Sequence, residues 1–259
     1  MTSLPLNGCC GRDKRLKYVI PLPQGARETV KPAFTLAEVL ITLGIIGIVA
    51  ALTIPAVITN IRHKELQTGL KEAYSSISQA LKLYHAENGV PLIASGVKHA
   101  LKPAIMPYFR TAKDCGWGAG DASSSSAACI PSPNGMSDEQ KESYKETYKN
   151  YNGTNSIRMD LFDDGQFIIN NGMLILIEDP GSSNVFISVD VNGYDKKPNR
   201  LGQDLFMFQI DSSGNLLPMG AKGAGYSAGW CSKSSKSNEN GAGCTVKALS
   251  DPKFFDNLP

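Results

Sequence analysis

Histidine is scarce in this chain, limited to His63, His85 and His99. No Walker-type phosphate loop and no His-Glu-x-x-His pair occurs, so two common routes to phosphoryl transfer and zinc-assisted hydrolysis lack their residues. Cys-x-x-Cys spacing is missing as well, and the histidines stand apart from the cysteines in sequence, which disfavours a zinc centre. Lysine and arginine form no stripe interleaved with aromatics, so no nucleic-acid partner is expected. Two carboxylate pairs, Asp163-Asp164 and Glu178-Asp179, lie beside turn glycines and read most simply as caps on hairpin ends. His85 falls near the apolar face of a long helical pattern and is expected to pack there. None of this indicates an enzyme.

Against these gaps stands one long apolar run. From Val39 to Ile58, 20 residues carry no formal charge, enough to cross a bilayer as a helix. A single acid, Glu38, sits at the mouth of the run behind Phe34 and Leu36. A carboxylate carried to mid-membrane costs roughly 2.5–3.5 kcal/mol, so Glu38 calls for a partner or an interfacial position. A plain signal-anchor helix with a stray interfacial acid is one reading. Charge is placed unevenly: residues 1–33 hold six Lys/Arg and two acids, and without them 20 basic face 22 acidic residues. A basic segment ahead of an apolar helix predicts a cytoplasmic leader and an exported remainder. Arg62, His63 and Lys64, just past the run, soften that asymmetry. An ordinary secretory signal fits poorly, because the apolar stretch exceeds the usual range of roughly 7–15 residues.

The residues from Lys31 to Leu40, Lys-Pro-Ala-Phe-Thr-Leu-Ala-Glu-Val-Leu, resemble the processing site of type IV prepilins and type II secretion pseudopilins. In that family a basic leader ends in a small residue, followed by Phe, three apolar or hydroxyl residues and Glu. The resemblance implies cleavage between Ala33 and Phe34 by a membrane prepilin peptidase, which then methylates the new amine of Phe34. It departs from the family in having Ala33 where Gly is usual, still a tiny side chain, and in a leader of 33 residues, longer than the typical member's. Pro55 matches the helix proline of many members. What the resemblance implies is a bacterial inner-membrane protein with an exported C-terminal domain, polymerised with other pilin or pseudopilin subunits by inner-membrane machinery. Glu38 of one subunit would pair with the Phe34 amine of its neighbour, since either charge left alone in a low-dielectric bundle is penalised. Such pairing would set the stagger between subunits, as a buried polar residue sets register in a coiled coil. A permanently anchored binding module that never polymerises is the alternative.

Along the chain, the helix is expected to run from Phe34 to Asn88, where Asn88-Gly89-Val90-Pro91 stops it; at 1.5 Å per residue that is roughly 80 Å. Pro55 lacks a donor and should kink it. Gly44, Gly47, Ala50 and Ala51 offer small surfaces for a second helix. Beyond Arg62 the apolar positions Leu66, Leu70, Ala73, Ile77, Leu81 and Tyr84 recur in steps of three or four, one face of an amphipathic helix. A short helix is expected over Leu101–Phe109, and a polar helix over 138–150 behind a Ser137/Gln140 capping box. Alternation at Ile157, Met159 and Leu161, then Phe167–Ile169, the Asn171-Gly172 turn, Met173–Ile177, Val185–Val191 and Leu205–Ile210 predict about five antiparallel strands. One face of that sheet needs a cover, and the amphipathic half of the helix supplies it. The expected fold is therefore α+β and pilin-like: a leader over 1–33, a membrane and assembly helix over 34–61, and an exported domain over 62–259. The Gly/Ser-rich tail from Gly220 reads as irregular.

Four cysteines lie beyond the leader, in local pairs Cys115 with Cys129 and Cys231 with Cys244. Three pairings are open to four cysteines; local pairing in an exported domain would close loops of about 15 residues, worth roughly 3 kcal/mol each. Last, Asp190, Asn192 and Asp195, with Gly193 for a tight turn and Asp204 downstream, could aim oxygens at calcium, and some pseudopilins bind calcium in such a loop. A rigid, metal-free turn is the competing reading, as no Glu closes the loop in EF-hand fashion.

Overall fold

The computed structural model describes residues 34–117, 129–130, 147–181 and 184–259. The expected leader, including Ala33, lies outside the described residues, as does the expected polar helix up to residue 146. Over 147–150 the chain is not helical: Lys149 forms bridges with Ser156 and Arg200. The chain divides into two units, Met1–Ala51 and Leu52–Pro259.

The first unit contributes the opening of helix α1, which spans Leu36–Asn88. Its side chains are apolar all round, and Leu36, Leu40, Ile41, Leu43, Ile45, Ile46 and Ile48 are all exposed. The helix is long and apolar enough to cross a membrane. A patch of this size has no place in water, so it calls for lipid or other helices. α1 is helical through Pro55, and the Thr59 hydroxyl donates to the Pro55 carbonyl at 3.0 Å.

The second unit is built on a six-stranded antiparallel sheet in sequence order: β1 Thr111–Asp114, β2 Gln166–Ile169, β3 Leu174–Glu178, β4 Val185–Asp190, β5 Leu205–Ile210 and β6 Leu216–Pro218. Each strand pairs with the next, as tight turns dictate for a meander. Leu66, Leu70, Ala73, Ile77, Ala80 and Leu81 of α1 are buried, five of them at the expected positions, and Tyr84 is half-buried. They share one core with Phe167, Ile175, Ile187, Val189 and Phe208, the residues of alternate parity on the strands, with Tyr74 stacked on Phe208 at 5.9 Å between ring centres. Gly69 allows the approach: a Cβ there would stand 3.2 Å from the Val191 Cβ.

The sheet departs from the one-sided expectation. Leu174, Leu176, Phe186, Leu205 and Met207, on the opposite parity, are buried in a second core with Tyr148, Ile157, Met159, Phe162 and Met219. β4 and β5 are consequently buried at every position, as strands covered on both faces must be. Ile157, Met159 and Leu161, expected as a strand, instead lie in a segment whose Met159–Leu161 is a 3-10 turn; their alternation serves that second core. The helix expected over Leu101–Phe109 is α2, Leu101–Ile105, followed by a 3-10 turn, Met106–Tyr108. The tail is more regular than expected, with helix α3 at Thr245–Ser250 and 3-10 turns at Ala228–Trp230, Ala242–Cys244 and Phe255–Asn257.

Both local cysteine pairs are disulfides, Cys115–Cys129 and Cys231–Cys244. Asparagine adds a second fastening for the tail. Asn150 Nδ2 donates to the Ser237 carbonyl at 2.9 Å, Asn152 Nδ2 to that of Ser235 at 2.9 Å, and the buried Asn240 to Ser232 and Ser235 at 2.8 and 2.9 Å.

Candidate functional site

At the head of α1, Phe34 is 87% exposed. Glu38 is not left bare: its Oε2 accepts from the Thr35 backbone N–H and the Thr35 hydroxyl, each at 2.8 Å. The Thr35 hydroxyl oxygen accepts in turn from the Glu38 N–H at 3.2 Å. This is a reciprocal capping box, Thr-x-x-Glu, which satisfies two of the orphan donors at a helix start. Glu38 therefore has a local partner that sequence reading did not assign. Gly44 and Gly47 have nothing within 4 Å of where a Cβ would stand, so both remain small, open surfaces.

Asp190, Asp195 and Asp204 are not among the acids whose carboxylate oxygens converge within 4.8 Å of one another in the described residues. Asp190 and Asp204 are fully buried, and their oxygens are taken by hydrogen donors. Asp190 Oδ1 accepts from the N–H groups of Gly193 and Asn192 at 2.9 and 3.2 Å, and Oδ2 from the Tyr148 hydroxyl. Asp204 accepts from the N–H groups of Asn199 and Arg200, both at 2.7 Å. Asn192 turns its amide nitrogen to the carbonyls of Lys196 and Lys197 at 3.3 and 3.4 Å, and Asp195 is exposed. These bonds tie the turn together, while the side-chain oxygen of Asn192 is buried without a hydrogen-bond partner. Burial, followed by the charge of Asp204, raises the pKa of Asp190; burial likewise raises that of Asp204, opposed by the Arg200 and Asn199 N–H groups.

A different acidic group does converge. Asp163, Asp164 and Glu178 bring carboxylate oxygens within 4.8 Å of one another. Antiparallel pairing of Gln166 with Leu176 sets the start of β2 beside the end of β3, which is what joins acids 14 residues apart. Burial first, then the neighbouring carboxylates, push Asp163 up to about 7 and Glu178 up to about 8, and the two share a hydrogen bond. Near neutrality this pair holds a proton to relieve like-charge repulsion. Capping accounts for part of the arrangement, since Asp164 Oδ2 accepts from the Asp179 N–H at 2.9 Å and Asp179 Oδ2 from the Leu101 N–H at 2.9 Å. His99 pairs with Asp164 at 2.8 Å and stacks on Trp117. His85, expected to pack, is exposed.

The sequence also contains one Gly-x-Ser-x-Gly match, Gly225 to Gly229 around Ser227. A nucleophile elbow needs a strained strand-to-helix turn and a nearby base. Ser227 instead has extended backbone, φ −75° and ψ 165°, and precedes the 3-10 turn Ala228–Trp230. His63 pairs with Asp256 and His99 with Asp164. The match is a glycine-rich turn.

No family model, curated protein or solved structure matches the chain.

Proposed function

We propose that the chain is the precursor of a filament subunit of the type IV pilus or type II secretion pseudopilus kind. The observation that carries this reading is a helix whose first half is apolar, exposed and interrupted by a single acid at its mouth. The processing-site resemblance across Lys31–Leu40 and a disulfide-bearing α+β domain after the helix support it. In this reading a prepilin peptidase cuts between Ala33 and Phe34 and methylates Phe34. The helix then waits in the inner membrane, its domain exported, until the assembly machinery draws it into a bundle with other subunits. Packing of Gly44 and Gly47 against neighbouring helices lets backbones come close. Neither a cofactor nor catalysis is required.

The capping box adds a step to assembly. Thr35 holds the Glu38 carboxylate in the free subunit, and a neighbour's Phe34 amine competes for it on docking. Intact-mass and N-terminal analysis of protein from cells should return a methylated Phe34; a chain that keeps residues 1–33 is the non-polymerising anchor instead. Thr35→Ala and Glu38→Ala separate capping from pairing. Loss of a cap costs about 0.5–2 kcal/mol, so Thr35→Ala should leave filaments at reduced or normal yield, whereas Glu38→Ala should abolish them. Equal yields from the two variants would remove the pairing role.

A further inference from the structure

Arg62, Lys196 and Lys197 line a cleft of about 730 Å³ between the start of the amphipathic part of α1 and the turn after β4. Glu65 is the only acid in its wall among the described residues, and Ile58 and Ile61 add apolar lining. Arg62 is placed oddly for a chain of this kind. In membrane proteins Lys and Arg close to the end of a span are biased to the cytoplasmic flank, yet Arg62 stands on the flank that the proposed function exports and is joined there by Lys196 and Lys197, which points to a local anion.

The vertical position identifies that anion. Thr59 and Asn60 break the apolar run after Ile58, and Arg62, the first charge beyond Glu38, follows Ile58 by four residues, about 6 Å along the axis at 1.5 Å per residue. The headgroup layer on each side of the hydrocarbon is about 5–8 Å thick, so on this membrane reading Arg62 falls at phosphate level, with Ile58 at the acyl boundary below it. The lysines are brought to the same level by their loop, whose backbone is held by Asn192 through the carbonyls of Lys196 and Lys197. Nor is Arg62 consumed by its buried neighbour. Asp204 already accepts from two backbone N–H groups, leaving the guanidinium a long-range attraction to that acid. A planar fork and two ammonium groups around a half-apolar cleft match a phosphodiester with acyl chains attached.

We infer that this cleft binds the headgroup of an anionic phospholipid, seating the domain on the membrane surface before assembly. The inference rests on the membrane reading of α1. Full-length protein in mild detergent would be titrated with phosphatidylglycerol and phosphatidylcholine, and retained lipid counted by native mass spectrometry. With about fivefold expected per cation, wild-type protein should retain phosphatidylglycerol at least about tenfold better, and Arg62→Gln/Lys196→Gln/Lys197→Gln should lose the preference. Lys222→Gln/Lys247→Gln, which neutralises exposed lysines elsewhere, should keep it. Arg62→Gln alone, the least perturbing change, should weaken it in part. Alkaline carbonate extraction of membranes reports insertion separately. Protein that resists extraction but shows no preference, or a triple variant that binds like wild type, overturns the cleft alone. Loss of preference in the distant lysine variant also overturns it, in favour of net charge. Protein released by carbonate overturns the membrane reading and the cleft with it.

Discussion

Asp163 and Glu178 meet with too little solvent to be charged together, and the consequence is a pH dependence of definite sign. Their ordinary values of 3.8 and 4.5 rise to about 7 and about 8 in the folded chain. Between those limits the folded state holds protons the unfolded chain has released, so stability falls as pH rises. The contribution of the pair is full below about pH 4 and is lost as pH passes through 7 to 8. Glu178→Gln supplies a permanent neutral donor to Asp163 and removes one charge from the group. Thermal melts should therefore show wild type losing ground to Glu178→Gln between about pH 5 and about pH 8.5, with the variant the more stable at the alkaline end. A difference that stays constant across that range would show that the two carboxyls ionise independently of folding. Both groups are half-buried rather than sealed from solvent, so the effect belongs in Tm differences rather than in a large fixed energy.

At the scale of elements, α1 is one helix with two kinds of surface, and substitutions should separate them. Ile77 is fully buried against the sheet, while Ile45 is 57% exposed. Ile77→Ala removes packed methylenes and leaves a cavity, which costs about 2–5 kcal/mol. Ile45→Ala removes no contact within the folded domain, so its effect should stay within about 0.5 kcal/mol. Calorimetry of both variants checks the contrast, and comparable losses would mean that the first half of α1 also packs on this domain. The periodicity behind this division was plain in the sequence, because a helix face repeats every three or four residues whatever it covers. Strands β2 to β5 were equally plain, bounded as they are by Asp164-Gly165 and Asn171-Gly172 turns. β1 and β6 were not: Thr-Ala-Lys-Asp is exposed throughout, and Leu-Leu-Pro is three residues at an edge. Edge strands lack the alternation that a buried face imposes. The runs Leu174–Glu178 and Leu205–Ile210 did hold a clue to the second core, being apolar on both parities. The acidic trio needed the register of the hairpin before its members could be seen to meet. The capping box, by contrast, was legible as Thr35-x-x-Glu38 and was hidden only because a stronger resemblance had already claimed Glu38.

For the molecule as a whole, the distribution of burial fixes what the part beyond residue 61 needs in order to fold. Among the described residues, every buried apolar side chain lies at Leu66 or beyond, and both disulfides, the six strands and the Asn-held tail fall within the same unit. A domain of this size buries enough surface to stand alone, and its cross-links close loops of only 14 and 13 residues. By the chain-entropy account each is worth about 3 kcal/mol, because a short closed loop removes freedom mainly from the unfolded chain. A fragment of residues 62–259 directed to an oxidising compartment should thus be soluble without detergent and unfold in one cooperative step. The full chain should require detergent, because residues 36–61 keep their apolar surface whatever the domain does. Reduction of the fragment should lower its Tm markedly without abolishing the sheet, since the two cores on either side of β2–β5 are made mostly of aliphatic and aromatic side chains, with the cysteines at a few positions only. Far-UV circular dichroism with and without reductant reads both claims together. A fragment that aggregates while oxidised would mean that the first half of α1 covers part of the domain, and the helix could not then be free to leave water for lipid or for neighbouring helices.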